Sequence, residues 1–156
     1  MRLKTENFFR NICIGLVDGL TIPLAVAAGL SGFVESARPV VIACIAVAFA
    51  GALTMTFSGY FESKKYDPDT KPGITAVTIG TGYLLGGLTV SAPYFASEHP
   101  DGAFRNSIII SMLVLFVAGY FESRLNGSNG WINAFRVCIT AGIAAAAALF
   151  VAKLFA

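Results

Sequence analysis

The chain has 156 residues, of which 56% are hydrophobic and 13% are charged, and its mean hydropathy is +0.72. Soluble domains carry about 25% charged residues, so the composition predicts a surface that faces lipid. The net charge of +2 is too small to indicate a nucleic-acid partner. Cys13, Cys44 and Cys138 lie inside apolar runs and form no CxxC pair. They are therefore interpreted as small buried side chains rather than as a disulfide framework or a zinc or iron–sulfur site.

Five apolar segments are near the length of about 20 residues that a membrane-spanning helix needs. They cover residues 11–33, 39–61, 73–96, 106–121 and 132–155, and the links between them are short and polar. The fourth segment is short, and a start near Phe104 is the alternative for it. The pattern predicts an all-α integral membrane protein in which residues 1–156 form a single five-helix transmembrane domain. The first run exceeds the usual 7–15 residues of a signal-peptide core, and it contains Asp18 and Pro23, so we expect a retained helix.

The basic residues predict the orientation, because Lys and Arg favour the cytoplasmic side of a membrane. With a cytoplasmic N-terminus, only Arg38, Arg105 and Lys153 of the 11 basic residues lie outside. We therefore expect the N-terminus in the cytoplasm and the C-terminus outside. The expected outer loop, residues 97–102, holds the single histidine, His99, which is interpreted as solvated.

The most informative segment is the apolar run of residues 15–32, GLVDGLTIPLAVAAGLSG, which contains one carboxylate, Asp18. A charge at membrane depth costs roughly 2.5–3.5 kcal/mol on insertion scales, so an intramembrane acid is a candidate functional residue. The expected cargo is a cation or a proton. GxxxG pairs at Gly15/Gly19 and Gly82/Gly86 predict close helix packing. That packing would leave Asp18 one position away from the packed face, in a seam between helices.

The pentapeptide GYFES occurs twice, at residues 59–63 and 119–123, and each copy closes an apolar span. The repeated pentapeptide predicts two helical hairpins after the first helix, related by a parallel repeat of the kind found in transporters. Two interpretations of Glu62 and Glu122 stay open. They reach water at the membrane border, or they form an acidic mouth that gathers cations.

The second span adds a candidate soft ligand, Met55, next to the hydroxyls of Thr54 and Thr56. Thioethers suit soft metals and carboxylates suit hard ones, so a mixed site would suit a borderline ion such as Fe²⁺. A methionine in an apolar helix usually packs in the core. The candidate site at Asp18 is the only reason to interpret Met55 as a metal ligand.

The Asp18 run and the segment AGALTM at residues 50–55 resemble the vacuolar iron transporter family, and the resemblance continues to residue 155. It implies a homodimer with a metal path near the subunit interface, lined by the first two helices. It also implies export of Fe²⁺, and often Mn²⁺, from the cytosol in exchange for protons, with no permanently bound cofactor. The pathway aspartate of the family falls on Asp18 and its pathway methionine on Met55.

This chain departs from the family pattern at two places. Val47 stands where members have a carboxylate on the second helix, and residues 62–72 replace a long acidic cytoplasmic insert with a short link that contains three lysines. Glu62 and Glu122 are hypothesised to replace the missing acids. The alternative function is a non-transporting membrane scaffold or metal sensor of the same fold, which Val47 favours.

A dimer would also provide a route to proton coupling. In a dimer, two Asp18 carboxylates would nearly neutralise one divalent ion, and their repulsion after its release would favour uptake of a proton.

An enzyme is not expected, because the sequence has no HExxH, nucleophile-elbow or Walker motif. The compact chain favours a prokaryotic plasma membrane.

Overall fold

Five α-helices make up the part of the chain that the computed structural model describes, which is the backbone of residues 2–66 and 71–155 and the side chains of residues 7–65 and 71–155. All five are long and apolar enough to cross a membrane, which confirms the predicted all-α membrane fold. The helices are α1 (Arg2–Ser31), α2 (Ala37–Tyr66), α3 (Pro72–Phe95), α4 (Pro100–Leu125) and α5 (Gly130–Phe155).

Two helices start well before their predicted segments: α1 begins at Arg2 rather than at residue 11, and the fourth helix also starts early. The sequence predicts a start at residue 106, but the helix begins at Pro100, so the second half of the expected outer loop 97–102 is helical. Proline suits the first turn of a helix because its missing N–H has no partner there, and His99 occupies the N-cap position. Residues 67–70 and the side chains of Arg2 and Lys4, which entered the predictions above, lie outside the described residues.

Helix α1 is in direct backbone contact with α3 through the two predicted glycine pairs. A Cβ at Gly15 would collide with the backbone of Ile79, and one at Gly19 with the backbone of Tyr83. From the other side, a Cβ at Gly86 would lie 2.7 Å from the carbonyl carbon of Gly19. Both glycine pairs therefore serve the close packing that the sequence predicts, since small residues let helix backbones approach in lipid.

The two ends of the bundle differ in character. The end at which α1 begins and α2 and α4 end carries Arg10, Lys64, Lys65 and Arg124, and we call it the basic end. Toward the opposite end the helices enclose a dense apolar core. The core residues that are fully buried include Leu20, Leu24, Val40, Val90 and Leu115.

Buried hydroxyls are set into this core. Ser107 donates to the carbonyl of Val90 at 2.8 Å, and the hydroxyls of Ser31 and Tyr94 are 3.0 Å apart. The Ser111 hydroxyl is the exception, because it is buried and has no hydrogen-bond partner among the described residues.

The outer surface of the bundle is apolar, most clearly on α2 and α5. Large side chains such as Phe49 and Ile143 are more than half exposed. A soluble protein rarely exposes so much contiguous apolar surface, whereas lipid solvates it. The exposed side chains on these two helices include Ile42, Phe49, Leu53, Phe57, Ile132, Phe135, Ile139 and Ile143.

An aromatic cluster joins α4 to α5 at the basic end. The Trp131 ring lies 5.3 Å from Tyr120 and 5.9 Å from Phe116, and Phe116 also contacts Phe135 at 5.3 Å. Edge-on ring pairs of this kind stabilise a contact by about 0.5–1.5 kcal/mol each. The cluster fixes the start of α5 against the second GYFES copy.

The two GYFES copies share part of their surroundings. Gly59 packs against Ala76 of α3, Gly119 packs against Ala134 of α5, and the serine that ends each copy is buried. That the two hairpins are related by a parallel repeat stays a prediction.

Candidate functional site

A polar cavity of about 380 Å³ opens at the basic end of the bundle. It lies where the first turns of α1 and α3 meet the last turns of α2 and the residue that follows α4. Most of the side chains around it can hydrogen-bond to water or to an ion. The lining residues are Asn7, Arg10, Asn11, Ile14, Gly59, Glu62, Ser63, Thr75, Ile79 and Asn126.

Asp18 lies on the same face of α1 as the cavity. Residues three and four apart share a helix face, and the lining residues Asn7, Asn11 and Ile14 are followed four residues later by Asp18. Asp18 is half-buried. Asp18 therefore lies about one turn deeper in the bundle than the cavity-lining residues of α1.

Met55 and Glu62 share one face of α2 in the same way. Gly59 and Glu62 line the cavity, and Met55 precedes Gly59 by four residues. Met55 is half-buried whereas Glu62 is exposed at the rim. The α2 face thus has a carboxylate at the mouth and a thioether one turn further in.

Glu122 approaches the same region from α4. It lies one turn before the lining residue Asn126, is half-buried, and lies within electrostatic range of Asp18. Asn133 of α5 makes a side-chain hydrogen bond to Glu122 and donates its Nδ2 to the carbonyl of Gly119 at 3.1 Å. Asp18 and Glu122 are therefore electrostatically linked within one subunit.

Two more side chains border these carboxylates. Tyr83 of α3 lies within electrostatic range of Asp18, and its ring fills the space beside Gly51 of α2. The Cys13 thiol lies within electrostatic range of Glu122. Beyond Asp18 the seam is closed, because Leu20 and Leu24 are fully buried.

Of the four predicted site residues, only Glu62 lines this cavity. The other three, Asp18, Met55 and Glu122, each lie four residues from a lining residue of the same helix or helix end, and the four do not form a finished metal site. Among the described residues, no three His, Cys, Asp or Glu side chains lie close enough to hold a metal ion. Fe²⁺ or Mn²⁺ would be cargo rather than a resident cofactor. A complete coordination shell would need Met55, backbone oxygens, water or a second subunit in addition to Asp18.

A larger cavity, of about 720 Å³, lies at the opposite end and is lined by none of the four predicted site residues. Arg38 and Glu98 lie beside Ile42 and Phe95 there, and the latter two are exposed apolar side chains. His99 precedes α4 at this end and is exposed.

Sequence reasoning missed Asn133, Tyr83 and Asn11 as parts of the site. Asn11 gave one usable signal, since it lies seven residues before Asp18 and hence on the same helix face. Asn133 and Tyr83 gave none, because their relevance depends on how α5 and α3 are placed against other helices.

The geometry defines an integral, multi-pass membrane protein with acidic side chains inside its bundle, next to a polar cavity that opens at one end. A model of the VIT family matches residues 9–67 and 62–153. The chain belongs to the VIT family, a family of metal transporters rather than enzymes. The predicted family and the expectation that the protein is not an enzyme are thereby confirmed.

Individual relatives agree with this assignment. Vacuolar iron transporter 1 of Arabidopsis thaliana is 28% identical over 211 aligned positions, which cover 92% of this chain and 84% of that protein. Vacuolar iron transporter 1 of Tulipa gesneriana is 27% identical, with coverage of 92% and 85%. Protein CCC1 of Saccharomyces cerevisiae is 27% identical over 219 positions, with coverage of 92% and 68%.

These alignments are longer than the 156 residues of the chain, so the relatives contain residues that this chain lacks. The two segments matched by the family model meet at residues 62–67, where α2 ends. This agrees with a short form of the family in which the link between α2 and α3 is reduced.

Proposed function

We propose that the protein is a divalent-metal transporter that moves Fe²⁺, and with it Mn²⁺, out of the cytosol in exchange for protons. The observation that carries the proposal is the position of Asp18, half-buried and one turn beyond the lining of a polar cavity. An acid at that depth is costly unless it meets a cation, a proton or another partner. The relatives named as iron transporters support iron as the cargo.

Each predicted ligand has a place in this mechanism. The exposed Glu62 offers arriving cations a carboxylate at the mouth, beside the positive charge of Arg10. Asp18 and Met55 replace water around the ion further in, the first as a hard ligand and the second as a soft one. Glu122 adds negative charge beside Asp18. Alanine at both Glu62 and Glu122 should weaken metal binding, and unchanged binding would rule out the acidic mouth.

A homodimer is part of the proposal, and the outer face of α2 supports it. Ala46, Ala50, Thr54 and Ser58 are spaced four residues apart and are all exposed. Small and hydroxyl side chains at this spacing are typical of helix–helix contacts in membranes. A second copy on this face would double the Asp18 and Met55 ligands. Two carboxylates that lose their shared ion would repel, so that one of them takes a proton, which couples metal release to proton uptake.

The membrane and its sidedness belong to the same proposal. The basic end faces the cytosol, because Lys and Arg are retained on that side, and the cavity then opens toward the metal that is to be exported. We place the compact chain in a prokaryotic plasma membrane, whereas the relatives above from plants are named vacuolar.

A second candidate function is a membrane scaffold or metal sensor that retains the fold without transport. Val47 favours it. This residue is half-buried and lies two turns before Met55 on α2, so the face that carries the soft ligand has no second carboxylate there. A sensor would bind metal at Asp18 without moving it across the membrane.

The test is Fe²⁺ uptake into proteoliposomes that contain a pH-sensitive dye, with the intact protein and Asp18→Asn compared. Metal flux with opposite proton movement, lost in the variant, supports the exchanger. Flux without proton movement indicates a facilitator. A well-folded protein that moves none of Fe²⁺, Mn²⁺, Co²⁺ or Zn²⁺ would favour the scaffold or sensor. Gly142→Ala is the matched control, because a Cβ at that position meets nothing within 4 Å.

A further inference from the structure

The two copies of GYFES place their glutamates differently. Glu62 is exposed, whereas Glu122 is half-buried and within electrostatic range of Asp18. Because the five residues of the two copies are identical, the difference must come from the surrounding helices. Helix α5 follows the second copy and supplies a side chain that reaches Glu122.

That side chain is Asn133, whose amide joins α5 to α4 at two points. It donates Nδ2 to the carbonyl of Gly119 at 3.1 Å and hydrogen-bonds to the Glu122 carboxylate. An amide nitrogen carries two N–H donors, so both bonds can form at once. The contact depends on a close approach of the helices, since a Cβ at Gly119 would lie only 3.3 Å from the Cα of Ala134.

At the first copy, the position that matches Asn133 is occupied by a threonine rather than an asparagine. Gly59 packs against Ala76 much as Gly119 packs against Ala134, and the residue before Ala76 is Thr75. A threonine hydroxyl has one hydrogen to donate and a shorter reach than an asparagine amide. Glu62 is exposed at the rim of the cavity, while Glu122 is half-buried.

We infer that Asn133 is a positioning residue that holds Glu122 toward Asp18, so that each subunit presents two carboxylates to the cargo cation. The inference rests on the proposed transport function. It gives a physical replacement for the carboxylate that is absent at Val47, since two carboxylates balance the charge of one divalent ion. Charge-assisted hydrogen bonds are the strong ones, so loss of the amide should release the Glu122 side chain.

The experiment measures initial rates of Mn²⁺ influx into proteoliposomes as a function of Mn²⁺ concentration. Asn133→Leu keeps the size of the side chain and removes the amide, and it should raise KM five- to tenfold with Vmax changed less than twofold. Glu122→Gln should raise KM by a similar factor. The double variant should be no worse than Glu122→Gln alone, because the amide acts only through that carboxylate.

A merely structural role would give a different result. Loss of folded protein lowers Vmax and leaves KM unchanged. Thr140→Val is the control on the same helix, because this exposed hydroxyl bonds only within α5, to the carbonyl of Arg136 at 2.9 Å, and its KM should equal that of the intact protein. If Asn133→Leu does not yield folded protein, Asn133→Ser replaces it, since a hydroxyl cannot make both bonds.

Two results overturn the inference. One is an unchanged KM in the Asn133 variant, and the other is a double variant in which the two fold-changes multiply. Both are distinguishable from failure of the transport proposal, which is judged by Asp18→Asn. Flux lost in Asp18→Asn with normal KM in the Asn133 variant rejects the positioning role alone, whereas flux retained in Asp18→Asn rejects the transport mechanism and the positioning role with it.

Discussion

Replacing Gly15 with alanine should destabilise the bundle strongly, because the new methyl group has no space. The Cβ would lie 2.8 Å from the backbone nitrogen of Tyr83 and 2.9 Å from the carbonyl carbon of Ile79. Non-bonded atoms are most stable about 3.5–4.0 Å apart. The carbonyl oxygen of Ile79 would lie closer still. All these groups are backbone atoms of α3 and cannot rotate away, so the two helices must separate by at least roughly 1 Å, the difference between the distances above.

The expected cost follows from that separation. A gap of 0.5–1 Å forfeits roughly a quarter to a half of each dispersion contact, and the contacts at Gly19, Gly82 and Gly86 lie in the same interface. Overpacking typically costs about 1–3 kcal/mol, and we expect a value near the upper limit, ~3 kcal/mol. For a chain of this size that corresponds to a decrease in Tm of roughly 6–12 °C.

The assay heats detergent-solubilised protein and measures, by size-exclusion chromatography, the fraction that stays monodisperse. Gly142→Ala is the control, because a Cβ on this α5 glycine would have no neighbouring atom within 4 Å. It should be neutral or stabilising by about 0.5–1 kcal/mol, as for a glycine replaced within a helix. If Gly15→Ala and Gly142→Ala have the same Tm, the backbones of α1 and α3 do not approach each other closely at Gly15.

Three other substitutions test separate parts of the site and core. Met55→Leu conserves volume and should change stability by less than about 1.5 kcal/mol, while KM should rise more for Fe²⁺ than for the harder Mn²⁺; equal changes for both ions would exclude a thioether ligand. Val47→Glu adds the carboxylate that this chain lacks, and it should increase metal affinity measured by calorimetry, whereas unchanged affinity would place residue 47 outside the ion path. Ser111→Ala removes a buried hydroxyl without a partner among the described residues, a group that costs about 1–3 kcal/mol to bury unpaired. It should raise Tm and leave flux unchanged, and a lower Tm would indicate that water satisfies this hydroxyl.

The sequence was sufficient to predict the features that depend on residue spacing within one helix. Asp18 follows Gly15 by three residues and precedes Gly19 by one, so its place beside the packed face could be calculated from helix geometry. Five spans could be recognised from their length and apolar character. The start of α4 was missed because Asp101 and Arg105 lower the hydropathy of its first turns, although polar side chains are compatible with helix near a membrane border.

The contacts between helices could not be predicted, because they depend on register across the bundle. Nothing local distinguishes Glu122 from Glu62, which occupy identical pentapeptides. Glu122 differs in having a hydrogen-bond partner, Asn133, which lies 11 positions further along the chain and on another helix. Tyr83 was missed for the same reason, since its relation to Asp18 depends on the α1–α3 glycine contact.

The aromatic cluster at the start of α5 gives the protein a built-in optical probe. Trp131 is the single tryptophan of the chain, and its ring contacts Tyr120, two residues before Glu122, while Asn133 follows it by two residues. A paramagnetic ion that arrives at Glu122 should quench indole emission, and a movement of α5 should shift its wavelength. Metal entry at the basic end can therefore be followed in unlabelled protein, with no fluorophore attached to a helix that has to pack in lipid.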